Sequence, residues 1–337
     1  RGEFPGPHRH AHERAPPRVP DPGRRAYLDL LAGIAARGAL LHFRCFPSIL
    51  TPMIRVERLC YTYPGTDKQV LKEISFEIKE GEIFGFLGPS GAGKSTTQKV
   101  LNGLLKGFEG SVFINGTDLS RMERSFYERI GVAFEFPNLY LKLTALENLQ
   151  LYASFFKSAT RDPLELLKLV NLESDRDTRV EAFSKGMKMR LSFVRALLNY
   201  PDLLFLDEPT AGLDPANARI MKDIILDLQK QGVTIFLTTH HMEDAGELCK
   251  RLAFMVEGRL PVIDETQELR LRHGRKTVRV EYRQGVERHS DEFPVDQLGS
   301  KRAFSDILKN REILTIHTQE ASLEDIFIKV TGKQLKK

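Results

Sequence analysis

A chain of 337 residues, 41% hydrophobic and 28% charged, has room for a main domain with smaller appendages and the make-up of an ordinary water-soluble protein. No run reaches the roughly 18 uncharged apolar residues that a membrane-spanning helix needs; the nearest, Leu28 to Phe43, is broken by Asp29 and Arg37. The net charge of +5 hints at nucleic acid until it is divided along the chain. Residues 1–52 hold eight Arg, no Lys and four acids, so the rest carries only +1 and the electrostatic case for DNA or RNA disappears.

Residues 1–52 also hold eight of the 17 prolines and four of the nine histidines, and the first methionine is Met53. The expectation is a disordered or vector-derived tail, with Arg1-Gly2-Glu3-Phe4 as a scar and the natural chain beginning at Met53. A targeting peptide is the rival reading. The Arg-rich stretch with a helical pattern at Tyr27 to Leu41 suits it, whereas the prolines and acids do not. Cys45, Cys60 and Cys249 form no close metal-ligand cluster, and an odd count without a secretory signal argues for a reducing compartment.

Beyond Met53, Ile54 to Tyr63, Val70 to Ile78 and Glu82 to Leu87 are β-branched or aromatic runs separated by Pro-Gly and Glu-Gly turns, so three strands are expected. The third runs into Gly88-Pro89-Ser90-Gly91-Ala92-Gly93-Lys94-Ser95-Thr96 and a helix-like stretch to Leu104. Between about Pro137 and Tyr200 the strand signals vanish. Helical patterns at Ala145 to Phe156, Pro163 to Val170 and Met187 to Leu198 predict an all-helical insert. Apolar strands at Leu203 to Leu206, Val233 to Thr238 and Leu252 to Val256 then alternate with helices at Pro215 to Lys230 and Met242 to Cys249, which predicts an α/β fold with a mainly parallel sheet. From about Lys276 come alternating Val278, Val280 and Tyr282, a helix near Phe304 to Leu308, a strand at Ile313 to Ile316 and a helix from Leu323. That last helix has Ser322 and Asp325 at capping-box spacing. The expected division is a tail at 1–52, a nucleotide-binding domain at 53–265 and a small α+β domain at 266–337.

The glycine loop fits G-x-x-x-x-G-K-[ST], in which backbone N–H groups curl round phosphate oxygens and the following helix offers its positive end. Lys94 is expected on the β and γ phosphates of ATP and Ser95 on Mg²⁺. Leu203 to Leu206 is a buried-strand run that ends in Asp207-Glu208, and paired carboxylates at such a place are costly unless they have a task. Asp207 is expected to complete the Mg²⁺ shell and Glu208 to polarise the water that attacks the γ phosphate. Together these features describe a P-loop NTPase.

Phe183-Ser184-Lys185-Gly186-Met187 precedes a helix and places Ser184 23 residues ahead of Asp207, where ABC proteins carry a signature usually written L-S-G-G-Q. Ser184 and Gly186 match it, while Lys185 and Met187 depart from it. A plain helix N-cap explains Ser184 equally well. Ala211-Gly212-Leu213-Asp214 resembles the family's D-loop, and Asp214-Pro215 is also an ordinary helix start. Thr238 to Ala245 resembles the switch-histidine segment, with His240 aligned to the γ phosphate. Tyr63 stands where the family places an aromatic against adenine, although it also fits as one more strand aromatic. Ile130 to Glu135 resembles the Q-loop, with Glu135 where glutamine is usual; a carboxylate accepts a hydrogen bond from metal-bound water but adds charge and cannot donate.

The resemblance to ABC transporter ATP-binding subunits spans residues 54 to about 265. It implies an antiparallel β subdomain beside the parallel sheet, and two copies facing head to tail around two ATP molecules, each copy lending Ser184 and Gly186 to the other's site. It also implies a membrane-spanning permease as partner, most simply with a homodimer of this chain, and a peripheral position on the cytoplasmic face of the cell membrane. Ala321 to Phe327 resembles the ending of the multidrug, antibiotic and polysaccharide export branch, so export is expected. Ribosomal members usually carry two cassettes and DNA-repair members a long coiled coil, neither of which is present here. A regulatory module that binds ATP and barely hydrolyses it is the remaining alternative, suggested by Glu135, Lys185 and Met187.

Overall fold

The computed structural model describes residues 52–273, 277–318 and 321–333. The tail expected over residues 1–52 therefore lies, apart from Pro52, outside the described residues.

The described residues open with β1 (Ile54–Thr62) and β2 (Gln69–Ile78), paired antiparallel, followed by β3 (Ile83–Leu87) and, after the glycine loop, α1 (Lys94–Leu101). β4 (Glu109–Ile114) returns to pair with β1, and the short β5 (Thr117–Asp118) adds to β4, giving an antiparallel sheet in the order β2-β1-β4-β5. After the single-turn α2 (Arg124–Tyr127) and β6 (Ile130–Ala133) come the three helices of the insert: α3 (Ala145–Ala153), α4 (Pro163–Leu169) and α5 (Lys185–Arg195). β7 (Leu203–Asp207), α6 (Pro215–Lys230), β8 (Thr234–Thr239), α7 (Met242–Leu248), β9 (Arg251–Val256) and β10 (Arg259–Glu265) complete a sheet ordered β10-β9-β3-β8-β7-β6. All its pairings are parallel except β9 with β10. α8 (Thr266–His273), β11 (Thr277–Gln284), β12 (Glu287–Pro294), α9 (Arg302–Asn310), β13 (Glu312–Thr318) and α10 (Leu323–Thr331) end the chain, with β12-β11-β13 as a separate antiparallel sheet.

Every residue of β3, β7 and β8 is buried, as expected of central parallel strands covered on both faces. The antiparallel sheet packs on them through a shared aromatic core. Phe76 of β2 lies 5.9 Å from Phe84 in a stacked pair and 4.9 Å from Phe86 edge-on, and Phe205 and Phe236 extend the cluster. Each such pair adds about 1 kcal/mol to the burial of its apolar area. The site is built where β3 and β7 end.

The insert follows its local signals closely. Thr144 and Glu147 form a reciprocal capping box that starts α3, and Asp162 with Pro163 starts α4. α3 is shorter than the pattern suggests and α5 starts earlier, at Lys185, because Ser184 caps it. β4, β10 and β12 have no clear apolar alternation. β12 (Glu-Arg-His-Ser-Asp-Glu-Phe-Pro) is a strand because its backbone pairs residue for residue with β11. At the C-terminus, α10 lays Leu323, Ile326 and Phe327 against Leu87, Met242, Leu252, Phe254 and Leu269, while the three-stranded sheet keeps a core of its own around Val278, Val280, Tyr282, Phe293 and Ile307. Ser322 caps α10 as expected, accepting from the Asp325 N–H, while its own hydroxyl donates to the Asp325 carboxylate.

Candidate functional site

β3 delivers the chain to the glycine loop at a place with no spare room. A Cβ on Gly88 would lie 2.1 Å from the Met255 carbonyl oxygen, so only glycine fits there. Gly93 has φ 114°, and a Cβ on it would lie 2.8 Å from Met255 Cε. Gly93 is also the N-cap of α1, and no side chain caps that helix, so its free N–H groups and positive end remain available to an anion. A loop that Cβ atoms would fill and an uncapped helix start fit a triphosphate.

Lys94 is buried, and its Nζ donates to the carbonyl oxygens of Gly88 at 2.7 Å and Pro89 at 3.1 Å. Burial holds its pKa below the ordinary lysine value, against the opposing pull of Glu208, Asp207 and Glu135. A cleft of about 530 Å³ opens here, lined by residues 89–91 and 93–96, Val70, Glu135, Glu208 and His240. Tyr63 reaches the loop through its hydroxyl, 3.1 Å from Thr96 Oγ1, and meets Tyr61 edge-on at 5.0 Å.

Both carboxylates at the end of β7 are buried, and β8 supplies their partners. Thr238 Oγ1 donates to Asp207, and Thr239 Oγ1 donates to Glu208 Oε2 at 3.0 Å. The other Glu208 oxygen lies 2.7 Å from His240 Nδ1. Glu208 has φ 50°, a left-handed conformation that costs about 1 kcal/mol for a non-glycine residue and turns the chain as it leaves the strand. Just beyond, Thr210 Oγ1 donates to Asp244 at 2.6 Å, and Asp244 pairs with Lys222 at 3.3 Å, tying this turn to α7 and α6. The arrangement presents a buried base beside a phosphate cradle, with an imidazole on the base.

Ser184, Gly186 and Asp214 do not line this cleft. Ser184 caps α5, accepting from the Met187 N–H at 3.2 Å, and Asp214 caps α6, accepting from the Asn217 N–H at 3.0 Å. The Asn217 side-chain amide, and then its N–H, hold Asp214 below the usual carboxylate range. The two segments touch: a Cβ on Gly186 would lie 3.3 Å from Leu213 Cδ2, and the Lys185 side chain lies over Gly212. Both caps are exposed.

Residues 71–211 match the ABC transporter family model. The chain is 51% identical over 286 residues to the fluoroquinolones export ATP-binding protein of Mycobacterium tuberculosis (strain H37Rv), a match covering 85% of this chain and 95% of that protein. The chain belongs to the ABC transporter ATP-binding family. A further relative, Nod factor export ATP-binding protein I of Burkholderia pseudomallei (strain K96243), is 36% identical, with 80% of this chain and 94% of that protein covered. Among solved structures, a dimeric post-hydrolysis state of the ATP-binding cassette MJ0796 bound to ADP and Pi aligns with TM-score 0.59 and 28% identity, covering 64% of this chain and 99% of that one. Residues 276–320 match the fluoroquinolone efflux ABC transporter C-terminal domain, which takes in β11 to β13.

With the chain placed in the ABC family, the P-loop, Glu208, Glu135 and His240 are the expected site residues that the fold gathers at one cleft; Asp207, near enough to act on the Lys94 charge, and Tyr63 lie outside its lining. Ser184, Gly186 and Asp214 form a second cluster of their own. Sequence reasoning assigned no role to Thr238, Thr239, Val70 or the Thr210–Asp244 bond. The signal for the threonines was a pair of hydroxyls ending a buried strand, a costly choice unless each finds a partner.

Proposed function

We propose that this chain is the Mg²⁺-dependent ATPase that powers a small-molecule exporter of the fluoroquinolone-efflux type, working as a head-to-tail pair on the cytoplasmic face of a membrane-spanning permease. The observation that carries the catalytic reading is Glu208: a buried carboxylate, oriented by Thr239 and His240, lining the same cleft as Lys94. The matches to export proteins and to an efflux-type C-terminal domain support the transport reading. Among the described residues no helix is long and apolar enough to cross a membrane.

The loop N–H groups and Lys94 would hold the phosphates of ATP, and Tyr63 would lie against the adenine. Ser95 and Asp207, with Glu135, would hold Mg²⁺, which supplies positive charge to the phosphate oxygens. Glu208 accepts a proton from the attacking water, and Thr239 keeps its second oxygen aimed. His240, which holds Glu208 and lines the cleft, would contact the γ phosphate. The exposed Ser184 and half-buried Gly186 of a second copy would close the site, since this chain's own pair lies elsewhere. The test is steady-state ATP turnover with and without Mg²⁺ for the full chain and for Glu208→Gln. Turnover that needs Mg²⁺ and falls roughly 10²-fold or more in the variant, with ATP binding retained, is the expected result. Unchanged turnover in the variant would remove Glu208 from this role.

A further inference from the structure

His240 and His241 are consecutive and exposed, with ring centroids 4.2 Å apart and planes inclined by 36°. Successive side chains along a strand point apart. These two stay together because the chain leaves β8 at Thr239 and enters α7 at Met242, with the His241 N–H bonded to Thr239 Oγ1 at 2.9 Å. One ligand-capable atom from each of Glu208, His240 and His241 lies within 4.8 Å of the other two, the only such trio among the described residues.

The ATPase reading has no use for His241. Its side chain neither lines the cleft nor caps α7, and it makes no hydrogen bond among the described residues. Two imidazoles and a carboxylate are the donor set of zinc, copper or nickel, whereas Mg²⁺ takes oxygen ligands. We propose that Glu208, His240 and His241 bind a transition cation of the Zn²⁺ class, and that its binding inhibits ATP turnover. Ligands about 2.1 Å from zinc stand about 3.4 Å apart around a tetrahedron, so the 2.7 Å His240–Glu208 contact must open. Exposed imidazoles make such movements by side-chain rotation, while Glu208 stays anchored on Thr239. The cation then occupies the Glu208 oxygen that would take the proton from water and the His240 nitrogen that holds that oxygen. Inhibition rests on the catalytic reading of Glu208; binding does not.

The experiment uses nucleotide-free, full-length protein titrated with Zn²⁺ by calorimetry, together with Mg²⁺-ATP turnover measured against chelator-buffered free Zn²⁺. His8, His10 and His12 offer other imidazoles, so the wild type is compared with His241→Ala and with a variant carrying His8→Ala, His10→Ala and His12→Ala. The triple variant should keep one Zn²⁺ equivalent, and His241→Ala should weaken it roughly tenfold or more. Turnover of His241→Ala without Zn²⁺ should be unchanged, and its inhibition should need about tenfold more free Zn²⁺. Equal affinity and equal inhibition in His241→Ala would overturn the proposal, as would loss of binding with no change in Zn²⁺ sensitivity. Glu208→Gln turnover in chelator is read separately, so failure of the ATPase reading leaves the metal titration interpretable.

Discussion

Lys94 and Glu208 are buried and each is held by two hydrogen bonds, whereas Ser184 and Asp214 are exposed and cap helix starts. Burying a charge is costly unless it is paired, so the phosphate side had to be built with its partners in place. In the proposed head-to-tail pair the signature side stays open to water because its ligand and its cover would come from a second copy. On that reading one folded chain would carry two unlike half-sites, one finished and one waiting.

The strongest way to break this comparison is complementation. Glu208→Gln damages the buried half-site and Gly186→Asp the exposed one, and each alone should turn over ATP roughly 10²-fold more slowly. In a head-to-tail pair made by mixing the two, one site carries both defects and the other carries neither, so roughly a quarter of all sites are intact at equal mixing. Turnover should therefore recover in the mixture; no recovery would mean that Gly186 serves its own chain.

Next in size is Lys94→Met. Losing a charge-assisted contact to phosphate should weaken ATP binding roughly tenfold to hundredfold. Because burial depresses the folded pKa of Lys94 below 10.5, the unfolded chain binds more protons across that window, and stability of the nucleotide-free protein rises with pH there. The variant should lose this alkaline gain and be more stable than wild type at neutral pH, as urea unfolding at two pH values would show. A variant less stable at neutral pH would mean that the two carbonyl bonds outweigh the burial.

Glu135→Gln sharpens the comparison with a smaller effect. Its carboxylate lies in the cleft that ATP would fill, and removing one charge there should tighten Mg²⁺-free ATP binding by about 1 kcal/mol, roughly fivefold. Equilibrium nucleotide binding checks this, and weaker binding would show that the Glu135 charge favours ATP through Lys94.

The glycine loop, the Asp207-Glu208 pair and the caps at Ser184 and Asp214 were legible because each is a short run whose chemistry depends on neighbours a few residues away. The threonine partners were not. Asp207 meets Thr238 only because β7 and β8 pair in that register, 31 residues apart in sequence. The separation of the two half-sites was equally hidden, since Ser184 is nearer to Glu208 in sequence than Lys94 is, yet Lys94 is the one that shares its cleft.

Local spacing alone was enough to place the phosphate loop, most helix starts and every parallel strand except β6, because phosphate binding, capping and burial on both faces act over a few residues. Packing decided the rest. β12 became a strand through backbone pairing despite a polar sequence, and α10 buried its apolar face on the nucleotide-binding core. His240 and His241 came together with Glu208 because one strand ends and a helix begins beside a carboxylate from another strand. Contacts between elements far apart in the chain depend on how the sheets stack, and no spacing rule along the sequence encodes that.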